Sequence, residues 1–399
     1  MRLLYVVQRY GAEVAGGAER LCRLFAGRMA ARGHQVEVVT TCARSYLDWA
    51  NAYPPGTDED DGVTVHRLAT GRERDLDRFG PLNGRVTWGR KPVALHLQEE
   101  WMRAQGPDVP ELGPWLDAEA GRFDAVAFVT YLYATTRSGL ARAAGRVPTV
   151  LHPTAHEEPP LTLPLFDAVF RLADAFAFCT EEERDLVEGR FRTRTPSAVV
   201  GIGFDLDATG DGSRFRRRSG MGDEPYLVAV GRVDPAKGFD ELFDFFAAYK
   251  RRHPGPLRLV VVGEPVTRPP DHPDVVVTGF VDEQAKRDVV DGAAALVQPS
   301  YFESFSMVLA EAWAQGRPAI VQGRCAVLDG QARRSRGAIP YRGYAEFEAA
   351  VELVTSDASL AEALGRAGRR YVATELSWDV VLGRYEELLD RVVATAVRA

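Results

Sequence analysis

Two acids and two bases in the C-terminal half stand at spacings that suit a charged, elongated ligand. The stretch Pro299-Ser300-Tyr301-Phe302-Glu303-Ser304-Phe305-Ser306-Met307-Val308-Leu309-Ala310-Glu311 follows an apolar run, Ala295 to Gln298, and carries its acids eight residues apart. If that run is a strand of a parallel sheet, the loop after it lies at the carboxyl end, where ligands bind. A helix beginning near Phe305 offers backbone N–H groups from Phe305 to Met307 and the positive end of a dipole, which suit a phosphate or a sugar hydroxyl. Glu311 then lies under two turns into the helix, so the carboxylates of Glu303 and Glu311 reach different parts of one ligand. The same spacing also fits a surface-loop acid followed by an amphipathic-helix acid.

The bases come earlier, in Gly231-Arg232-Val233-Asp234-Pro235-Ala236-Lys237-Gly238, after the apolar run Tyr226–Gly231. A guanidinium fork and a compact ammonium on one loop before a helix can clamp a diphosphate from two sides. No Walker signature accompanies them, which argues against P-loop nucleotide hydrolysis. A third turn, Gly16-Gly17-Ala18-Glu19, follows the first apolar run, and its glycines let backbone approach a phosphate closely. It is not G-x-G-x-x-G, and the next strand ends in Thr40-Thr41 without the acid that binds a nicotinamide cofactor's ribose, so a dehydrogenase is disfavoured.

The elements that must position these residues alternate strand and helix. The first half reads as a strand at Leu3–Val7, a helix near Glu19–Arg32 and a strand at Gln35–Thr40. Asp58-Glu59-Asp60-Asp61 reads as a solvated turn before a short strand Val63–Arg67. Residues 71 to 121 read as loops with one or two helices. Strands resume at Ala125–Thr130, Thr149–His152 and Ala175–Cys179, and Thr180 with Glu183 forms a capping box. A glycine- and arginine-rich stretch to Glu224 reads as the linker. Beyond it come Tyr226–Gly231, helix Phe239–His253, Leu257–Gly263, Val275–Phe280, helix Asp282–Ala293, Ala295–Gln298, helix Phe305–Gly316 and Ala319–Gln322. A last helix covers about 377–397. Such βαβ alternation predicts an α/β protein of two Rossmann-like, doubly wound parallel-sheet domains, 1–203 and 204–399, facing each other across a cleft. The last helix is placed so that it could pack back on the first domain.

At 399 residues, 46% of them hydrophobic and 26% charged, the chain has the composition of a soluble globular protein. A net charge of −7 argues against nucleic acid as a partner. The clusters Arg214, Arg216, Arg217, Arg218 and Arg333, Arg334, Arg336 read as solvated faces, with a phosphate or an anionic membrane surface as the alternative. Cys22, Cys42, Cys179 and Cys325 form no metal or disulfide pattern, which predicts a reduced, cytoplasmic protein. The apolar run at the amino terminus is too short for a signal peptide, and none approaches the ~18 residues of a membrane span. Peripheral contact at the inner membrane face stays open.

Taken in order, G-G-A-E, G-R-x-x-x-x-K-G, V-x-G-F-V and P-S-x-x-E-S-F-S-x-V-L-A-E-A resemble the retaining glycosyltransferases of family 4, which have the GT-B fold. The resemblance covers essentially the whole chain. It implies transfer of a sugar from a nucleotide-diphosphate donor, UDP- or GDP-linked, to an acceptor hydroxyl of a glycan, lipid-linked or secondary-metabolite acceptor, with retention and without a metal or other cofactor. It implies that the first domain binds acceptor and the second the donor. By position, Arg232 and Lys237 would hold the donor diphosphate, approached also by Gly16 and Gly17. Glu311 would bind the ribose hydroxyls, Glu303 the donor sugar, and the Val281 backbone the base. Ser304, Phe305, Ser306 and Met307 would present backbone to sugar or phosphate. The chain has Glu303-Ser304-Phe305-Ser306 where many members have E-G-F-G, and its two side chains restrict how near that loop can approach. Members also place a histidine beside the transferred sugar. Of two candidates, His156, with acids following, is preferred over His152. Tyr131 and Tyr133, past another strand end, read first as ordinary packing, with the acceptor side as the alternative. A sugar-nucleotide 2-epimerase and a non-catalytic nucleotide-sugar-binding protein are the competing readings.

Overall fold

The structure is a computed structural model that describes residues 1–89, 91–266 and 269–396. Two compact units divide the chain: Met1–Gly201 together with the segment from Leu382 onward, and Ile202–Val381. The expected end of the last helix at Val397 lies outside the described residues; within them the helix is Trp378–Ala396.

The first unit is built on an eight-stranded sheet in the order β3-β4-β2-β1-β5-β6-β7-β8. The strands are β1 (Arg2–Val6), β2 (Gln35–Thr41), β3 (Gly56–Asp60), β4 (Val63–Leu68), β5 (Ala125–Val129), β6 (Thr149–His152), β7 (Ala175–Phe178) and β8 (Ser197–Val199). All pairs are parallel except β3 with β4. β1 and β5 are buried almost throughout, as parallel strands covered on both faces must be. Leu4, Val6, Val126, Phe128 and Leu151 contribute to one apolar core.

Two sequence expectations fail here. The acidic run is no solvated turn but the edge strand β3, antiparallel to β4. Its charges are held by long-range partners: Arg23 donates to Asp60 at 2.7 Å and Arg67 to Asp58 at 3.0 Å. Among the described residues, 71 to 121 hold three α-helices, Leu76–Asn83, Leu95–Gln105 and Leu112–Glu119, with a π-helical turn Gly84–Trp88. Gly80 and Pro81 in the first and Gly113 and Pro114 in the third obscure the periodicity that would have marked those two.

The second unit carries a six-stranded, all-parallel sheet in the order β11-β10-β9-β12-β13-β14. Its strands are β9 (Tyr226–Val230), β10 (Arg258–Val262), β11 (Val275–Gly279), β12 (Ala295–Gln298), β13 (Ala319–Gln322) and β14 (Ala338–Tyr341). The order reverses between β9 and β12, so the loops after these two strands flank a topological switch point, where doubly wound sheets bind ligands. The stretch expected as a linker contains a helix, Gly212–Ser219. Asp211 caps it, and Arg214 reaches across to Asp288. The arginine cluster is therefore tied to its own unit, with Arg216 also lying 5.2 Å from the Tyr226 ring.

Asp288 is 1% exposed and accepts from Arg214, Gln284 and the Asp211 N–H. The Arg214 guanidinium, chiefly, holds its carboxyl down at about 2. A depressed carboxylate stabilises above its unfolded pKa and loses that contribution as pH falls toward the folded value. Asp288→Asn should cost about 1.5 to 3 kcal/mol for the charged hydrogen bonds weakened. Denaturant unfolding should also show a smaller loss of stability between about pH 4 and pH 2 in the variant than in the parent.

Candidate functional site

The loop after β9 and the loop after β12 touch through glycine. Gly238 has φ 77°, and a Cβ there would overlap the Pro299 carbonyl oxygen. That approach brings Lys237 Nζ to 3.0 Å from Glu303 Oε1 and 3.4 Å from the Phe302 carbonyl. On the same loop Arg232 pairs with Asp234 at 2.8 Å, and Asp234 caps the short turn Pro235–Lys237 by accepting from the Ala236 N–H. The two cations and the first acid thus share one end of the sheet, each cation held by a carboxylate.

Beyond Glu303 the backbone turns sharply. Ser306 has φ 71°, and its hydroxyl accepts from Gln298 Nε2 at 2.9 Å. The helix Met307–Ala314 begins two residues later than expected because the left-handed Ser306 precedes it. Phe305 is 3% exposed and stacks on Phe204 at 6.0 Å, so its side chain anchors the loop and only its backbone is available. Ser304 and Met307 are partly exposed beside it. Glu311 projects from the helix to Lys286, Nζ to Oε1 3.0 Å. Lys286 lies on the helix Glu283–Asp291, which follows Val281 in the loop after β11. Lys286 was not assigned from sequence, since nothing local couples it to Glu311 twenty-five residues away.

In the first unit the order reverses between β1 and β5. The turn after β1 is organised by an ion pair: Arg9 donates to Glu19 Oε1 at 2.9 Å, and Gln8 adds a bond at 2.8 Å. Gly16 is required there, because a Cβ would overlap the Glu19 carboxylate, whereas a Cβ on Gly17 meets nothing within 4 Å. After β5, Tyr131 is buried and donates to Glu158 at 2.7 Å. Tyr133 packs edge-on to Trp49 at 5.4 Å. Burial pushes its phenol up, with Glu19 adding and Arg9 and Arg74 opposing. Tyr133 therefore feels the charges of the glycine turn.

The two histidines part company. His152 is the last residue of β6 and fully buried, 5.3 Å from the Phe25 ring and 5.0 Å from Tyr385. Burial pulls its imidazole down to about 3. It is a core side chain, which corrects its assignment to the acceptor side. Tyr131 is likewise a core ring whose hydroxyl serves Glu158. His156 is partly exposed in the loop beyond, 3.8 Å from Glu158 Oε1. That loop is tethered by Glu183, whose carboxylate accepts from the Ala155 and Cys179 N–H groups at 2.6 Å each. Glu183 lies on the helix Glu181–Phe191, which Thr180 caps, as expected, by accepting from the Glu183 N–H. Burial pushes the Glu183 carboxyl up to about 8, against the pull of those two N–H donors. Its tether to Ala155 was invisible in the sequence. Among the described residues no group of three or more His, Cys, Asp or Glu is placed to hold a metal ion.

A family model described as glycosyl transferases group 1 matches residues 224–357, and one described as a glycosyl transferase 4-like domain matches residues 16–203. The chain is 27% identical to a glycogen synthase of Mycobacterium tuberculosis, covering 96% of this chain and 92% of that protein. It is also 27% identical to a D-inositol 3-phosphate glycosyltransferase of Saccharomonospora viridis, covering 98% and 94%. Among solved structures, sucrose-phosphate synthase from Thermosynechococcus elongatus superposes with a TM-score of 0.72 at 18% identity, covering 99% of this chain and 100% of that one. HepE of Anabaena, in complex with UDP and glucose, gives 0.71 at 16%, covering 98% and 100%.

The contrast between the histidines is measurable without substrate. His152→Ala should lower stability by about 2 to 3 kcal/mol, as removal of a packed core ring does. His156→Ala should stay within about 0.5 kcal/mol of the parent in the same denaturant titration. Equal losses would contradict this placement of the rings.

Proposed function

The chain belongs to the group 1 glycosyl transferases and has the GT-B fold, and from that premise we propose that it moves a sugar from a UDP- or GDP-sugar to an acceptor hydroxyl with retention of anomeric configuration and without a bound metal ion. The observation that carries the reading is the contact of Lys237 with Glu303 across the two loops that flank the switch point, with Arg232 on the same loop as Lys237 and Glu311 on the helix that follows Glu303. Relatives are named for related chemistry: glycogen synthase, D-inositol 3-phosphate glycosyltransferase, and a HepE structure holding UDP and glucose.

In this reading the donor diphosphate lies against Arg232 and Lys237. As the sugar–phosphate bond breaks, negative charge grows on the leaving nucleotide. A fixed guanidinium and ammonium stabilise that charge without reorganising, the role a metal ion fills elsewhere. Backbone N–H groups at the start of the helix Met307–Ala314 add to the positive field. Glu303 and the backbone of Ser304, Phe305 and Ser306 orient the donor sugar. Glu311 accepts from the ribose hydroxyls, and the Val281 backbone meets the base. His156, paired with Glu158, stands on the acceptor side with Tyr133, and the Gly16–Gly17 turn approaches the diphosphate. The acceptor is a glycan, lipid-linked or small-molecule hydroxyl. A cytoplasmic site of action is proposed with it, and all four cysteines are free and buried. Among the described residues no helix is long and apolar enough to cross a membrane.

Lys237→Ala should lower turnover about 10²- to 10³-fold, the usual effect of removing one preorganised donor from a transition-state anion. Arg232→Lys should also be impaired, since an ammonium cannot reproduce the fork. Steady-state rates at saturating donor, with circular dichroism as folding control, decide it; folded variants at near-parent rates would refute the clamp.

Transfer should persist in excess EDTA, and the product should keep the donor's anomeric configuration by NMR. Activity lost to chelation and restored only by magnesium or manganese would overturn the metal-free mechanism. Donor turnover that yields an epimerised sugar nucleotide without any acceptor would establish the 2-epimerase instead.

A further inference from the structure

Lys286 stands where the helix Glu283–Asp291 turns inward, on the same face as the buried Val289 and Val290. That face calls for an apolar residue, because burying a lysine costs desolvation unless its charge is met. Its side chain is only 11% exposed, and its Nζ lies 3.0 Å from Glu311 Oε1, itself on a side chain 15% exposed. A second carboxylate, Glu283, lies 3.0 Å away but is 56% exposed. Of the two carboxylates, the buried one is the more sensitive to the ammonium, since water screens the other.

We infer that Lys286 is a positioning residue for the nucleotide: it fixes the Glu311 carboxylate in the orientation that accepts from the ribose hydroxyls, and so sets the preference for a ribose over a deoxyribose donor. This rests on the assignment of Glu311 to the ribose. The physical basis is preorganisation. A glutamate has three side-chain torsions, and an ordering cost paid within the protein is not paid again when the ligand binds. Lys286 also joins two ligand-facing elements, for its helix begins two residues after Val281 and its ammonium ends on the helix Met307–Ala314. The alternative is a strut that ties the two helices and contributes only stability.

Ligand discrimination separates the two. Calorimetry would measure the dissociation constants of UDP and GDP and of their 2′,3′-dideoxy counterparts for the parent protein, Lys286→Met, Lys286→Gln and Lys286→Arg. The parent should prefer the ribonucleotide it binds by about tenfold or more, the scale of a charged hydrogen bond. In Lys286→Met that preference should fall to within about twofold while affinity for the dideoxy form is unchanged, and Lys286→Arg should restore most of it. Should Lys286→Met fail to fold, Lys286→Gln carries the same expectation. A parent preference retained in full by the folded Met or Gln variant would make Lys286 a strut and overturn the inference alone. A parent that binds neither nucleotide, or binds ribose and dideoxyribose forms equally, would overturn the ribose role of Glu311 and this inference with it.

Discussion

The donor-side arrangement depends on one backbone contact, the packing of Gly238 against the carbonyl of Pro299. β9 and β12 are neighbours, so the chain leaves both at the same edge of the sheet. At a switch point the following segments diverge toward opposite faces. A side chain at Gly238 would widen the gap, and its φ of 77° is one that other residues adopt only at a cost. With no side chain there, the loops close enough for Lys237 to reach both the Phe302 carbonyl and Glu303.

A second regularity is that the cations in these sites are each met by an acid of the same unit. Lys237 has Glu303, Arg232 has Asp234, Lys286 has Glu311 and Arg9 has Glu19. Arg9 and Glu19 are both about 6% exposed, deep enough that either alone would be costly to bury. Such pairs contribute little net stability, but they hold long side chains in one geometry before a ligand arrives. For a site that must neutralise a diphosphate, that geometry matters more than the stability.

The fold class was legible, and candidate site residues could be nominated, because both depend on local pattern. The apolar runs of β1, β5, β9, β10 and β12 are short, continuous and bounded by glycine or polar turns, which is how buried parallel strands read. Glu303, Glu311, Arg232 and Lys237 could be singled out because each lies within a few residues of such a run, at the end where ligands bind. The Thr180 cap was legible for the same reason, as it involves neighbours in sequence. The edge strand β3 was not, because four acids in a row favour a turn until Arg23 and Arg67 supply the charge from other elements.

What the sequence by itself determined was the kind of residue at each strand end, since burial of continuous apolar runs in a parallel sheet leaves the polar loop that follows each of them at the carboxyl end. What only the tertiary structure decided was which of those polar residues meet. His152 and His156 differ by four positions, yet one is sealed between Phe25 and Tyr385 and the other is not, because burial follows from packing by remote elements. Glu183 holds the Ala155 loop, Lys286 holds Glu311 and Gly16 makes room for the Glu19 carboxylate. Each of these contacts falls off within a few ångströms, while the residues that make it are brought together only by packing, a distance that no pattern of neighbours encodes.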